Sequence, residues 1–203
     1  CYHYSMTRKK IRDIRQEEFI VAALEATYKR GFHAVTMAEI AAEIGATAAS
    51  INYYFGSKDQ LMFETMRHLL RVLKLTHNHH LQIALDPKDR VRAIFDAHFD
   101  PRFFTPQNCS FWVQFWSAAP YSTHLERLHR INQSRVKSHF RAELAHLVAS
   151  PFRETMRRIL QSYLDGVWLS VAQADRAVDP RHARQEAHAL IELLINEATA
   201  STS

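Results

Sequence analysis

Glycine, cysteine and long apolar runs are all scarce in this chain of 203 residues, and each scarcity removes a class of function. The four glycines stand at 31, 45, 56 and 166. That is too far apart for the Gly-x-Gly-x-x-Gly turn of a dinucleotide fold or for a phosphate-cradling P-loop. The two cysteines, Cys1 and Cys109, give neither a disulfide framework nor a multi-cysteine zinc site. No apolar stretch approaches the roughly 18 residues that cross a bilayer. The opening Cys1-Tyr2-His3-Tyr4 also lacks the basic-then-apolar order of a secretory signal. The expectation is a cytoplasmic protein with no membrane association. His-Glu-x-x-His and Gly-x-Ser-x-Gly contexts are missing as well, so no catalytic residue, metal or cofactor is expected and the chain reads as a non-enzyme.

What is present is helical periodicity from end to end, with no sustained strand alternation, on a composition 47% apolar and 23% charged. The fold class is all-α. Ile20, Ala23, Leu24, Thr27 and Tyr28 form one stripe of a first helix over about 11–30, stopped by Gly31. Thr36 and Glu39 have capping-box spacing and start a second helix that runs to about Ile44. A short third helix fits Thr47 to Tyr54, and Ser57 caps a long fourth through about Leu81. Beyond it, prolines punctuate five more helices, at about 88–99, 107–119, 121–149, 152–174 and 181–199. These nine helices fall into two groups, residues 1–60 and 61–203, joined by the long fourth helix.

Two short helices around a glycine turn have helix-turn-helix proportions. The second of them anchors on Ile51 and Phe55 and leaves Thr47, Ser50, Asn52 and Tyr53 towards the outside, with small Ala48 at its start. Asn52 and Ser50 have the chemistry to read base edges. Thr36, Tyr54 and Lys58 stand near helix ends, where phosphate is bound. Arg8, Lys9 and Lys10, with Arg12 and Arg15, make a basic arm suited to the same backbone. The plainer alternatives are a helical hairpin inside a bundle and a solvated charged terminus.

The stretches Thr36-Met37-Ala38-Glu39-Ile40-Ala41-Ala42-Glu43-Ile44-Gly45-Ala46-Thr47 and Ile51-Asn52-Tyr53-Tyr54-Phe55-Gly56-Ser57-Lys58-Asp59-Gln60-Leu61 resemble the DNA-binding domain of the tetracycline-repressor (TetR) family. Ala49 and Asn52 depart from its usual glycine and tyrosine. The resemblance implies a homodimer on double-stranded operator DNA, with a C-terminal domain that holds a small ligand and pairs through its last two helices. Suitable stripes are Leu160, Tyr163, Leu164, Val167 and Val171, then Ala187, Leu190, Ile191, Leu194 and Ala198. A two-fold dimer predicts a palindromic operator.

All three tryptophans lie in the C-terminal group. Trp112 and Trp116 are one turn apart with Phe115 beside them, and Asp165 precedes Trp168 by three residues. Aromatic faces with a carboxylate attract a cation, a quaternary ammonium above all. The plainer alternative makes the tryptophans core residues and Asp165 an acceptor for an indole N–H. Gly166 between them is read as permitting close backbone approach. Phe99-Asp100, the Phe111–Trp116 run, the Leu128–Leu144 segment with Asn132, Arg135 and Ser138, and Asp165–Leu169 resemble the BetI-type, choline-responsive branch of the family. That resemblance implies repression of glycine-betaine synthesis relieved by choline, with Phe99, Asp100, Trp112, Phe115, Trp116, Asp165 and Trp168 as ligand residues. The alternatives are a relative governing an efflux or catabolic operon through another ligand, and a helical metal-dependent enzyme. The enzyme reading would rest on Glu126-x-x-His129 and Glu143-x-x-His146, but about 25 Å of helix separates them. His77, His79 and His80 read as a solvated helix end.

Overall fold

The computed structural model describes residues 11–173 and 179–200, so Arg8, Lys9 and Lys10 of the basic arm lie outside the described residues. Among the described residues there are nine α-helices and no strand. They are α1 (Ile11–Arg30), α2 (Met37–Ala42), α3 (Ala48–Phe55), α4 (Lys58–Ile83), α5 (Pro87–His98), α6 (Pro106–Ala118), α7 (Thr123–Leu144), α8 (Ser150–Gln173) and α9 (Pro180–Ala200). No described helix is long and apolar enough to cross a membrane. The chain divides into two compact units, residues 1–68 and 69–203, and the division falls inside α4.

Capping sets the helix starts. The Thr36 hydroxyl accepts from the Glu39 amide at 3.2 Å while the Glu39 carboxylate accepts from the Thr36 amide at 2.9 Å, closing both halves of the capping box. Thr47 and Ser57 accept from Ser50 and Gln60, each at 3.2 Å. Asp86 and Thr105 likewise cap α5 and α6. Pro87, Pro106 and Pro180 are the first helical residues rather than separators, because proline's fixed φ suits that position and the missing N–H has no partner there in any helix. The seventh helix is shorter than its pattern suggested: it ends at Leu144, where the Arg153 guanidinium donates to the carbonyls of Val148 and Ala145 and satisfies the turn that follows.

In the N-terminal unit Phe19, Ala23, Ile40, Ile51, Phe55, Leu61, Met62 and Met66 are buried, and Phe19 meets Phe55 edge-on at 6.2 Å. Tyr28, read as part of the apolar stripe of α1, is 44% exposed, near the C-terminal end of the helix. The C-terminal unit is built on Phe95, Phe99, Phe103, Phe111, Phe115, Phe140, Leu160 and Ile191. Ion pairs tie its helices: Arg90 to Glu143 through two bonds of 2.7 and 2.9 Å, and Lys88 to Glu192 at 2.9 Å. The C-terminal stripes are partly interior. Leu160, Leu164, Val171, Ala187, Ile191 and Ala198 are already buried within one chain, and the exposed apolar side chains on α8 and α9 are Ile159, Leu169 and Leu193.

The turn between α2 and α3 depends on Gly45, whose φ of 63° lies in the left-handed region. A Cβ there would meet nothing within 4 Å, so only the backbone requires glycine. Gly45→Ala therefore lowers stability by about 1–2 kcal/mol, measured by urea unfolding, and an unchanged midpoint would contradict this.

Candidate functional site

In the N-terminal unit Ile51 and Phe55 turn inward and fix which residues of α3 face out. Asn52 and Tyr53 are exposed, Tyr53 by 80%, and Thr47 and Thr36 are exposed at the starts of α3 and α2. Ala48 and Ser50 are half-buried. Tyr54 is half-buried against Phe19, with ring centres 5.5 Å apart, and Tyr53 lies edge-on to it at 5.3 Å. Lys58 is also half-buried. Its Nζ donates to the His33 carbonyl at 2.8 Å, and burial holds its pKa below the usual lysine value. The helical face opposite the two core anchors thus offers an amide, a phenol and hydroxyls to solvent. These are groups that hydrogen-bond base edges and phosphate oxygens.

In the C-terminal unit, α5, α6, α7 and α8 line a partly open cavity of about 310 Å³, its solvent-filled mouth included, with His98, Trp112, Trp116, Asn132, Gln133, Val136, Gln161, Leu164, Asp165 and Trp168 on its walls. Four of the sequence-chosen residues meet here: Trp112, Trp116, Asp165 and Trp168. Trp168 sits at the centre of the aromatic wall, 5.0 Å from Trp112 and 5.3 Å from Phe103 between ring centres. The other three do not line the cavity. Phe99 is fully buried against Phe95 and Phe104, and Phe115 packs towards His129. Asp100 is consumed by Arg102, which reaches it with Nε at 2.9 Å, a terminal nitrogen at 2.8 Å and the backbone amide at 2.9 Å. These bonds pull its pKa down to about 2. Both phenylalanines therefore act as packing behind the wall, and Asp100 as the anchor of a turn.

Asp165 is the opposite case. Among the described residues it has neither hydrogen bond nor ion pair, and burial alone pushes its pKa up to about 6. The indole N–H groups of Trp116 and Trp168 are also buried without partners. Asp165 thus accepts no bond from an indole, although Trp112 and Trp168 are buried core residues, as the plainer reading of the pair has it. Each unpartnered indole N–H leaves about 1–3 kcal/mol of desolvation uncompensated. His98 is buried, which lowers its pKa to about 4, and its Nδ1 donates to the Ile94 carbonyl at 2.7 Å, so the ring is neutral near pH 7. Gln161 donates to Gln133 at 2.7 Å across the α7–α8 side. Gly166 is exposed, and a Cβ there would meet nothing within 4 Å, so close backbone approach is not its role within the chain.

Gln161, Leu164, Asp165 and Trp168 recur at i, i+3, i+4 and i+7, as Asn132, Gln133 and Val136 do at i, i+1 and i+4. That spacing was the available signal for the polar members that the aromatic pattern did not point to. His77 also departs from expectation. It is 6% exposed rather than at a solvated end, because it continues the buried series Leu69, Leu70, Leu73 and Thr76. His80 is half-buried with Nε2 at 3.6 Å from Asp100, too far for a hydrogen bond, and His79 is exposed. Glu143, one of the two acidic residues in the candidate metal pattern, is held by Arg90, and His146 lies beyond the end of α7. No group of three or more metal-ligating side chains occurs among the described residues.

Comparison with known proteins adds the following. Residues 87–196 match the family described as BetI-type transcriptional repressor, C-terminal, and residues 19–65 match bacterial regulatory proteins of the tetR family. The chain is 32% identical over 191 residues to the HTH-type transcriptional regulator BetI of Burkholderia lata, covering 94% of this chain and 98% of that protein. It is 32% identical over 181 residues to the regulator of the same name from Vibrio campbellii, covering 88% and 91%. Among solved structures, a transcriptional regulator from Pseudomonas aeruginosa superposes with a TM-score of 0.74 at 24% identity, over 93% of each chain. A regulator from Saccharomonospora viridis, crystallised in complex with choline, superposes at 0.76 and 19% identity, over 89% of this chain and 96% of that one.

The raised pKa of Asp165 carries a stability consequence of definite sign. Its ionised form is disfavoured in the folded state, so the penalty is absent below about pH 4, grows towards pH 6 and is complete above it. Ligand-free Asp165→Asn is therefore more stable than the parent by roughly 1–3 kcal/mol at pH 8. Thermal melts should show the two converging as the pH falls below 4, whereas a variant less stable at pH 8 would contradict burial without a partner.

Proposed function

The chain belongs to the TetR family and carries the C-terminal domain of its BetI-type transcriptional repressors, and from that premise we propose that it is a homodimeric repressor of glycine-betaine synthesis genes, released from its operator by choline or a closely related quaternary ammonium compound. The observation that carries the ligand is Asp165, half-buried and, among the described residues, unpaired beside three tryptophans. A pKa of about 6 leaves it ionised near neutrality, and aromatic faces add their quadrupoles to its charge. A quaternary ammonium needs no hydrogen-bond acceptors, and the free indole N–H groups of Trp116 and Trp168 suit a ligand hydroxyl oxygen. The choline complex of a structural relative supports this assignment.

On the DNA side, residues 1–60 form the operator-binding domain, with Asn52 and Ser50 reading base edges and Ala48 letting the backbone approach. Thr36, Thr47, Tyr53, Tyr54 and Lys58, with Arg8, Lys9 and Lys10 of the arm, contact the backbone. Residues 61–203 hold the ligand and pair the subunits. Leu169 and Leu193, with Ile159, supply exposed apolar surface on α8 and α9 for that pairing. Two-fold symmetry then sets the reading helices about 34–36 Å apart, one turn of duplex. Ligand acts by binding one dimer state more tightly than the other. Moving the population from 99:1 to 1:99 requires a difference of about 5.5 kcal/mol, shared between two sites. As a regulator that operates on DNA, it works in the cytoplasm in this reading.

A gel shift on the promoter region of the betaine-synthesis genes, at fixed salt, tests this reading. The parent protein shifts the palindrome and choline reverses the shift. Asn52→Ala weakens specific binding by about 1–3 kcal/mol, whereas Asp165→Asn still binds DNA and no longer responds to choline. Leu193→Glu runs as a monomer in light scattering and loses the shift. Binding that choline leaves untouched, or a fully responsive Asp165→Asn, contradicts the proposal.

A further inference from the structure

A second cavity, of about 340 Å³, adjoins the first. It is lined by Leu70, Leu73, Lys74, His77, His98, Asn132, Arg135, Val136 and His139. His98, Asn132 and Val136 line both, so one wall separates the two spaces. Their chemistry is opposite in sense. The first offers a carboxylate and aromatic faces. No acidic residue lines the second, which offers two cations and two further imidazoles.

Three observations point to what the second space takes. Lys74 and Arg135 are exposed at its edge and have no acidic partner among the described residues. His77 is 6% exposed, and its Nε2 is buried with no partner. Its ring stacks on His139 at 4.5 Å, and both are held neutral by burial, His77 at a pKa of about 3. A neutral imidazole has one donor and one acceptor nitrogen, and with the proton on Nε2 the unpartnered side of His77 is a donor. Glu143, whose charge is felt by His139, is already bound twice by Arg90.

We propose that this second cavity is a carboxylate site, with Arg135 and Lys74 supplying charge and His77 a buried hydrogen-bond donor, so that the regulator reads a carboxylate together with the cation next door. The carboxylate has two sources. It is either the far end of a zwitterionic trimethylammonium acid that passes the wall of Asn132 and Val136, or a separate small organic acid bound beside choline. Both sources rest on the cation reading of the Trp112–Trp168 cavity, whereas binding of a carboxylate by itself does not.

Intrinsic tryptophan fluorescence of the full-length protein distinguishes them. The probes are choline, 4-trimethylammoniobutyrate, its methyl ester, and sodium acetate balanced against sodium chloride at constant ionic strength. For a tethered carboxylate, the butyrate binds about tenfold tighter than its ester. For a separate one, acetate binds alone and tightens choline by a similar factor. Either effect disappears in the double variant Lys74→Gln/Arg135→Gln, two exposed positions whose replacement leaves the fold intact, without weakening choline itself. His77→Leu reproduces the loss if it folds. The proposal is overturned if neither effect occurs in the parent, or if either persists undiminished in the double variant. Choline binding without any carboxylate effect removes this inference alone, and an acetate effect without choline binding removes the cation reading alone.

Discussion

A carboxylate partly withdrawn from water needs a counter-charge or donors, and Asp165 has neither among the described residues. The contrast with Asp100 makes the point in one unit of the molecule. Both are acidic residues beside buried aromatics, yet Asp100 receives three bonds from Arg102 and is spent on structure. Asp165 stays uncompensated on the inner face of α8, with Trp168 one turn on and Trp112 and Trp116 opposite on α6. A site whose own groups are left unsatisfied gains most from a ligand that satisfies them, and a cation that presents methyl groups to indole faces and charge to a carboxylate does so.

The same helix also has an outer face. Ile159, Ser162, Gly166 and Leu169 are exposed on it, with Leu193 on α9, while Gln161, Leu164, Asp165 and Trp168 line the cavity behind. In the proposed dimer, α8 therefore carries ligand on one side and partner subunit on the other, so a shift that closes the cavity alters the subunit contact with no intermediary. Gly166 on that face keeps the outer surface of the helix flat. α4 is the covalent continuation in the other direction, since it contributes to both units. Ligand energy in such an arrangement acts on elements that are few, long and tightly capped, which suits a two-state response.

Much of this was legible in the sequence because helices announce themselves locally. Thr36 with Glu39, Thr47 and Ser57 mark starts by side-chain chemistry alone, and Ile51 with Phe55 fixes which way α3 faces. Local rules run out where the decisive partner is distant in the chain. Arg153 ends α7 early from the far side of a turn, and Arg102 removes Asp100 from the ligand list. Phe99 and Phe115 carry the right side chain on the wrong face. His77 looked like a helix end because its neighbours His79 and His80 are polar, although its register continues a buried leucine series. Asn132 stood in the segment that carries the resemblance, whereas Gln133 and Gln161 were recoverable only by asking which residues share a face with Val136 and Asp165. Aromatic residues draw the eye in a sequence, whereas the polar groups that complete a cavity are identified by position.

The central claim is that the anion meeting the ligand's cation is Asp165 itself, and proton exchange on binding measures that directly. Near pH 6 the carboxylate is about half protonated in the free protein, and a cation bound against it must expel that proton. Calorimetric titration of choline in buffers of different ionisation enthalpy should give a release of about half a proton per site at pH 6, falling to almost none at pH 8. In Asp165→Asn the release should vanish at both. Choline binding at pH 6 with no proton released, or with the same release in the variant, would contradict the account.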